Sequence, residues 1–263
     1  MATGTVEKRS RRAHWEQFWA ERGEATAYYS NADRVVEQIA RAISLRGIRA
    51  LEVGAGTGRD GLRLAQRGAR VILLDYAQQA AEMMKRQARV TRGVHVVRAD
   101  ACAMPIRDKT LDVVFHQGLL EHFADPKPLL RENVRVVRPG GIVVVDVPQR
   151  YHIYTVLKHI LMALGKWFAG WETEFSVRQL KRLMERSGLE VLWVYGDYMR
   201  PSLFYRMLRE LFRRVGIRLP MYPPMCKPVQ SLRARVRRAV LRRPLWLNTC
   251  MDIGVVARRP EGR

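Results

Sequence analysis

The stretch "LEVGAGTGRD" (51–60) places an acid, Glu52, two residues ahead of three glycines at alternate positions, Gly54, Gly56 and Gly58. Glycines at this spacing carry no Cβ to hold a ligand away from the main chain. Two further acids, Asp75 and Asp100, close the apolar runs "ARVILLD" and "VHVVRAD". A dinucleotide is one ligand such residues could serve, and Gly56-x-Gly58-x-x-Gly61 matches its fingerprint. The frame is off, because the first glycine of that fingerprint makes the turn leaving the strand. Gly54 holds that place here, and the frame from Gly54 puts Arg59 where the third glycine belongs. No Gly-Lys-Ser/Thr follows, which excludes a Walker phosphate loop. The other ligand is S-adenosylmethionine, which has an amino-acid end, a ribose cis-diol and an adenine but no pyrophosphate. Glu52 can face the cationic amino group, Asp75 can accept both ribose hydroxyls, and Asp100 can accept the adenine amino proton beside the backbone of Ala101 and Cys102. Each acid alone reads as a turn or N-cap carboxylate. Together they end successive strands, on the carboxyl edge where open α/β sheets bind ligands.

The elements that must position these residues alternate along the chain. The pattern predicts strands at 48–53, 69–75, 94–100, 111–117 and 141–148. Helices fall between them at about 60–67, 77–90 and 128–137, and earlier helices lie within 14–46. Such alternation argues for a parallel sheet covered on both faces. The rhythm then changes, with a helix at 176–187, a strand at 189–198 and a final strand at 247–259. Two stretches, about 149–175 and 199–245, read as helical insertions into a single domain that spans 1–263.

The segments "ALEVGAGTGRDGLRLAQRGARVILLDYA", "VVRADACAMPIRDKTLDVVFHQGLLEHFADPKPLLRENVRVVRPGGIVVVDVP" and "EFSVRQLKRLMERSGLEVLWV" closely resemble the class I S-adenosylmethionine-dependent methyltransferases. The resemblance covers roughly 50–148 and 174–198, and the subgroup includes the ubiquinone/menaquinone-biosynthesis methyltransferases. It implies a Rossmann-like α/β fold with helices on both faces of a seven-stranded sheet of order 3214576, the last strand antiparallel. It also implies that Glu52, Gly54, Ala55, Gly56 and Gly58 line the methionine end of the cofactor. Asp75 takes the ribose, Tyr76 flanks the adenine, Asp100 and Ala101 hold the adenine edge, and Gln117 lies near the sulfonium. "RPGG" (138–141) is the turn into the fifth strand. His122 and His116 are the candidate bases, His122 being the one carried forward as catalytic. Some quinone O-methyltransferases have E-x-x-E-H at this point and use it for a divalent metal. Gly118 replaces the first glutamate here, so no metal is expected.

Composition bounds the partners. The 263 residues carry a net charge of +22, which suits an anionic surface, either membrane or nucleic acid. Residues 199–245 hold 13 Lys and Arg against one acid, Glu210. Cys102, Cys226 and Cys250 form no CxxC pair, so a zinc ribbon or disulfide framework is not expected, and a reducing cytoplasm suits them. The N-terminus has no apolar signal region, and no uncharged apolar run reaches the ~18 residues of a spanning helix. On a helical wheel Tyr154, Leu157, Ile160, Leu161, Leu164, Trp167, Phe168 and Trp171 share one face, away from Lys158, His159 and Lys166. Helices at about 202–215 and 229–243 set apolar residues opposite arginines. Basic amphipathic helices of this kind suit an anionic membrane interface, and they equally suit packing on the core. The resemblance implies that Trp15, Trp19, Tyr28 and Tyr29 cover the cofactor, and ordinary core packing accounts for them equally. The reading is therefore a methyltransferase for a small or lipid-like acceptor, isoprenoid or quinone-type, working from the cytoplasm at the inner face of a membrane. The alternatives are an RNA methyltransferase that grips phosphates with its basic insertion and a non-catalytic cofactor-binding partner protein. No RNA-binding module is present, and "HQGL" stands where the amino-N-methyltransferases of nucleic acid bases carry NPPY or DPPY.

Overall fold

The computed structural model describes residues 12–22, 33–164, 172–198, 202–220, 226, 228–229, 231–232, 235–236 and 244–262. Four apolar runs form the parallel centre of a sheet: β1 (Arg49–Val53), β2 (Arg70–Asp75), β4 (Leu111–Gln117) and β5 (Val137–Pro148). Their residues are buried almost without alternation, as strands covered on both faces must be. β3 (Val94–Arg98) lies at one edge and is more exposed. β6 (Glu190–Asp197) and β7 (Asp252–Arg258) complete a seven-stranded sheet of order 3-2-1-4-5-7-6, with β7 antiparallel to both its neighbours.

Helices cover both faces. α5 (Lys127–Val136) and α7 (Val177–Arg186) bury Leu129, Leu130, Leu180 and Met184 in one core. α2 (Arg34–Ala42), α3 (Arg59–Gln66) and α4 (Gln78–Ala88) contribute Val36, Ile39, Leu64 and Met84 to the other. Burying each such side chain stabilises the fold by about 1.5–3 kcal/mol. α7 starts at a reciprocal capping box. The Gln179 N–H donates to Ser176 Oγ at 3.2 Å, and the Ser176 N–H donates to Gln179 Oε1 at 3.0 Å. Outside the two cores lie α1 (Arg12–Arg22), α6 (Ile153–Ala163) and α8 (Leu203–Arg214).

Several boundaries shift from the sequence pattern, and three shifts have a visible cause. β3 ends at Arg98 because Asp100 makes its own turn, its carboxylate accepting the Cys102 N–H at 2.8 Å. β5 begins at Val137, ahead of "RPGG", with Gly140 left-handed inside it. The last strand begins at Asp252, since Pro244–Thr249 winds into a 3-10 helix. The helix expected over 229–243 lies mostly outside the described residues, as do Tyr28, Tyr29, Lys166, Trp167, Phe168 and Trp171.

Gly61 shows why the glycine series runs past Gly58. It sits in the first turn of α3, where a Cβ would stand 2.4 Å from Leu73, 2.7 Å from Glu52 Oε2 and 2.9 Å from Val71. A Gly→Ala change in a helix ordinarily stabilises by about 1 kcal/mol. Here overpacking reverses the sign, and Gly61→Ala should lower the unfolding free energy by about 1–3 kcal/mol in urea titrations. A stabilised variant would contradict this packing.

Candidate active site

The carboxyl ends of β1, β2 and β4 converge on the glycine loop. Gly54, Gly56 and Gly58 all adopt left-handed backbone, with φ of +62°, +55° and +70°. A Cβ on Gly54 would meet Leu119 at 2.7 Å, and one on Gly56 would meet the Trp19 ring at 2.6 Å. The loop is held by its own main chain: the Ala55 N–H donates to the Leu74 carbonyl and the Gly58 N–H to the Ala55 carbonyl. Asp75 completes the latch, accepting the Gly56 N–H at 2.9 Å and the Ala77 N–H at 3.0 Å. Burial pushes the Asp75 carboxyl up, against the pull of the Ala77, Gly56 and Tyr76 amides.

The remaining sequence-derived residues flank this loop. Tyr76 is half-buried and Asp100 is exposed, with Ala101 buried beside it. Glu52 is buried, and its carboxyl accepts the Gly61 N–H at 2.8 Å. Its first task is thus to hold the start of α3. Burial and then Asp60 push this carboxyl well above the ordinary glutamate range. His116 is wholly buried in β4, where burial drives its pKa down to about 3 and keeps it neutral. His122 is 7% exposed, and its ring meets Trp15 edge-on at 4.8 Å between centroids.

α1 lies across the loop. Trp19 stands over Gly56, Trp15 meets His122, and Glu16 accepts the Gln78 N–H at the start of α4 at 2.8 Å. Trp15 and Trp19 therefore both pack beside the glycine loop and the turn after β4. The glycine loop and a buried carboxyl at the β2 terminus fit a nucleoside with an amino-acid tail. So does an exposed carboxyl beside Ala101 on the next strand connection.

Beside the loop is a buried polar network that the motif did not reveal. The Arg34 guanidinium, 7% exposed, contacts Asp146 at 2.5 Å and Asp252 at 2.8 Å. Oriented to satisfy its neighbours, the Gln117 amide accepts from Arg34 at 2.8 Å and donates to Asp60 at 3.1 Å. Burial disfavours the Arg34 charge, but Asp146 and Asp252 more than compensate and hold the guanidinium ionised. Burial pushes the Asp146 carboxyl up to about 7, even against Arg34. A signal existed in the sequence, since Asp146 interrupts the apolar run "GIVVVDVP" and Asp252 opens "DIGVV".

A second network ties α6 to the segment 172–176. Lys158, 1% exposed, bridges Glu172 at 2.9 Å and Glu174 at 2.7 Å, and His159 meets Glu174 at 2.8 Å. α6 is therefore inverted relative to its helical wheel. Its lysine and Thr155 are buried, while Ile153, Val156, Leu157, Ile160 and Leu164 are exposed. Among the described residues no group of His, Cys, Asp and Glu has the arrangement of a metal site.

Comparison with known proteins agrees with this geometry. Residues 51–145 match the model of a methyltransferase domain. A ubiquinone biosynthesis O-methyltransferase from Neisseria meningitidis is 26% identical over 86% of this chain and 95% of its own length. A demethylmenaquinone methyltransferase from Clavibacter sepedonicus is 34% identical over 38% of this chain and 40% of its own. A Haemonchus contortus phosphoethanolamine N-methyltransferase, solved with S-adenosylhomocysteine, shares the fold, with a TM-score of 0.65 at 15% identity over 95% of this chain and 60% of that one. The chain is an S-adenosylmethionine-dependent methyltransferase with the class I fold, and it is similar to enzymes of ubiquinone and menaquinone biosynthesis. Its cofactor is S-adenosylmethionine.

Replacing Arg34 by Met would strand Asp146 and Asp252 in the interior. We expect a loss of about 3–5 kcal/mol in unfolding free energy near pH 8. The loss shrinks as pH falls. Asp146 already holds its proton more tightly folded than unfolded, and without the guanidinium that difference grows. The folded variant thus takes up protons that neutralise the stranded charge. Urea titrations giving the same loss at about pH 8 and about pH 5 would contradict this account.

Proposed function

We propose that this methyltransferase modifies a small or lipid-like acceptor, of isoprenoid or quinone type, from the surface of an anionic membrane. In this reading Glu52, Gly54, Ala55, Gly56 and Gly58 form the methionine end of the cofactor site. Asp75 takes the ribose, Tyr76, Asp100 and Ala101 take the adenine, and Gln117 stands beside the sulfonium. When bound, the cofactor supplies a methyl group already activated by positive sulfur. The protein's own task is then to align an acceptor and exclude water. Trp15 and Trp19 suit the second task, since α1 lies across the glycine loop.

The observation that carries the membrane reading is the exposure of apolar side chains on basic helices. Phe204, Met207, Leu211 and Val215 of α8 and its C-terminus are each more than half exposed, on a helix that also carries Arg209, Arg213 and Arg214. Ile153, Val156 and Ile160 of α6, and Leu164 just after it, are exposed as well. Apolar side chains so placed gain by entering the acyl boundary, and nearby arginines add about 1 kcal/mol each at an anionic leaflet. No helix among the described residues is long and apolar enough to cross a membrane. The likeness to a ubiquinone biosynthesis O-methyltransferase supports a quinone-type acceptor.

Asp75→Ala should weaken S-adenosylhomocysteine binding about 10- to 100-fold by calorimetry, the worth of hydrogen bonds to a charged group. Unchanged affinity would remove Asp75 from the ribose. For the acceptor, methyl-labelled S-adenosylmethionine is incubated with a lysate of the source organism and split into lipid, RNA and aqueous fractions. Label is expected in lipid, and Phe204→Asp with Leu211→Asp should abolish sedimentation with phosphatidylglycerol vesicles. Label in RNA would overturn the reading and recast the arginines as phosphate contacts.

A further inference from the structure

The inversion of α6 needs a cause, because a helix that buries lysine and exposes leucine and isoleucine forgoes the usual hydrophobic gain. The cause lies beneath it. β4 ends at Gln117, and a single 3-10 turn, Leu120–His122, follows. Leu119, just before that turn, lies against Gly54 of the cofactor loop. Glu121 sits in the middle of the turn, and its carbonyl accepts the Thr173 N–H at 2.8 Å. The turn and the segment 172–176 are thus joined, and Lys158 then ties that segment to α6.

The Glu121 side chain is 2% exposed, and Oε2 has no hydrogen-bond partner among the described residues. Oε1 stands 3.6 Å from where a Cβ on Gly118 would be. The charged groups acting on this carboxyl are Glu172 from the covering segment, Lys158 from α6 and Asp146 from β5. None of them is a spare donor. The Lys158 ammonium serves Glu172 and Glu174, and Asp146 faces Arg34. A buried carboxyl oxygen without a donor costs free energy until something supplies a hydrogen. This one lies two residues beyond the side chain that touches the cofactor loop, under the insertion that roofs the carboxyl edge.

We propose that Glu121 is the proton acceptor for a hydroxyl group on the methyl acceptor, an inference that rests on the small-molecule reading above. Glu121 Oε2 takes the hydroxyl proton, and the oxygen pair so released forms the new bond to the methyl carbon. The pair of the broken carbon–sulfur bond stays on sulfur. The products are a methyl ether, neutral S-adenosylhomocysteine and a protonated Glu121, so charge and atoms balance. Burial and then Glu172 hold this carboxyl well above the ordinary glutamate range, against its own amide and Lys158. A carboxylate so raised is a stronger base at neutral pH than a solvated one. Lys158 is a positioning residue in this scheme, fixing Glu172 beside the base. His122, the sequence-derived base, instead has its ring against Trp15.

The test uses the full chain, methyl-labelled S-adenosylmethionine and whichever lysate fraction the wild type labels. Glu121→Gln should cut transfer about 100-fold or more, while S-adenosylhomocysteine affinity by calorimetry stays within about twofold. The wild-type rate should rise with pH through the Glu121 titration, and the rise should vanish in this variant. Glu172→Gln removes the neighbour that raises the carboxyl and should move that rise to lower pH, which a purely structural role would not do. Infrared spectra of the acceptor-free protein should lose a protonated-carboxyl band in Glu121→Gln. The proposal is overturned if Glu121→Gln keeps the wild-type rate or loses cofactor binding in parallel. It is also overturned if His122→Gln, rather than Glu121→Gln, flattens the pH profile. A wild type that labels no fraction refutes the acceptor reading and this proposal together, whereas a labelling wild type matched by Glu121→Gln refutes the proposal alone.

Discussion

The Arg34 guanidinium is the charge around which the carboxyl edge is organised. It lies inside the protein, where a lone cation would be several kcal/mol uphill. Its tolerance there depends on Asp146 and Asp252, and on the Gln117 carbonyl oxygen, all in place at once. Those partners come from the end of β4, the C-terminal part of β5 and the start of β7, so one side chain at the start of α2 ties three strands together at one edge of the sheet. Gln117 passes the constraint to Asp60, and through α3 to the turn that Glu52 holds at Gly61. The glycine loop, the start of α3 and the edge formed by β4, β5 and β7 therefore share one electrostatic frame. Such a frame fixes geometry more than it adds net stability, because each charge in it was costly to bury.

The glycine loop illustrates how a site can be covered without being filled by its own chain. Left-handed backbone at Gly54, Gly56 and Gly58 exposes main-chain atoms that any Cβ would shield. Leu119 and Trp19 rest close to where the Cβ atoms of Gly54 and Gly56 would be. Both come from segments at the rim, the turn after β4 and helix α1, and neither belongs to the sheet. The rigid part of the site is thus the strand ends and Asp75, and the rim is built from side chains packed on glycine.

The glycine loop and its carboxylates were legible because these residues are neighbours in sequence or end strands that the apolar pattern marks. Asp75 and the glycines lie where the alternation of strands and helices requires. The buried ion pairs were not legible in the same way. Arg34 and Asp252 are 218 residues apart, and Lys158 meets Glu172 and Glu174 only because α6 folds back over the turn after β4. Helical periodicity placed Leu157, Ile160 and Leu164 on an apolar face and assigned Lys158 to the opposite one. The structure buries Lys158 and leaves His159 exposed with Leu157 and Ile160; periodicity says which residues share a face and nothing about which face turns inward. Buried carboxyls decided it.

The sequence by itself determined the sheet, its order through the family resemblance, and the carboxyl-edge cluster from Glu52 to Asp100. Local spacing and strand alternation are properties of a chain before it packs. Only the tertiary structure decided that Glu52 holds α3, that His116 is sealed in the core and that His122 meets Trp15. It also decided that Glu121 is buried, with Oε2 lacking a hydrogen-bond partner among the described residues. These outcomes depend on which distant groups share a low-dielectric interior, where a missing or present partner outweighs every local preference.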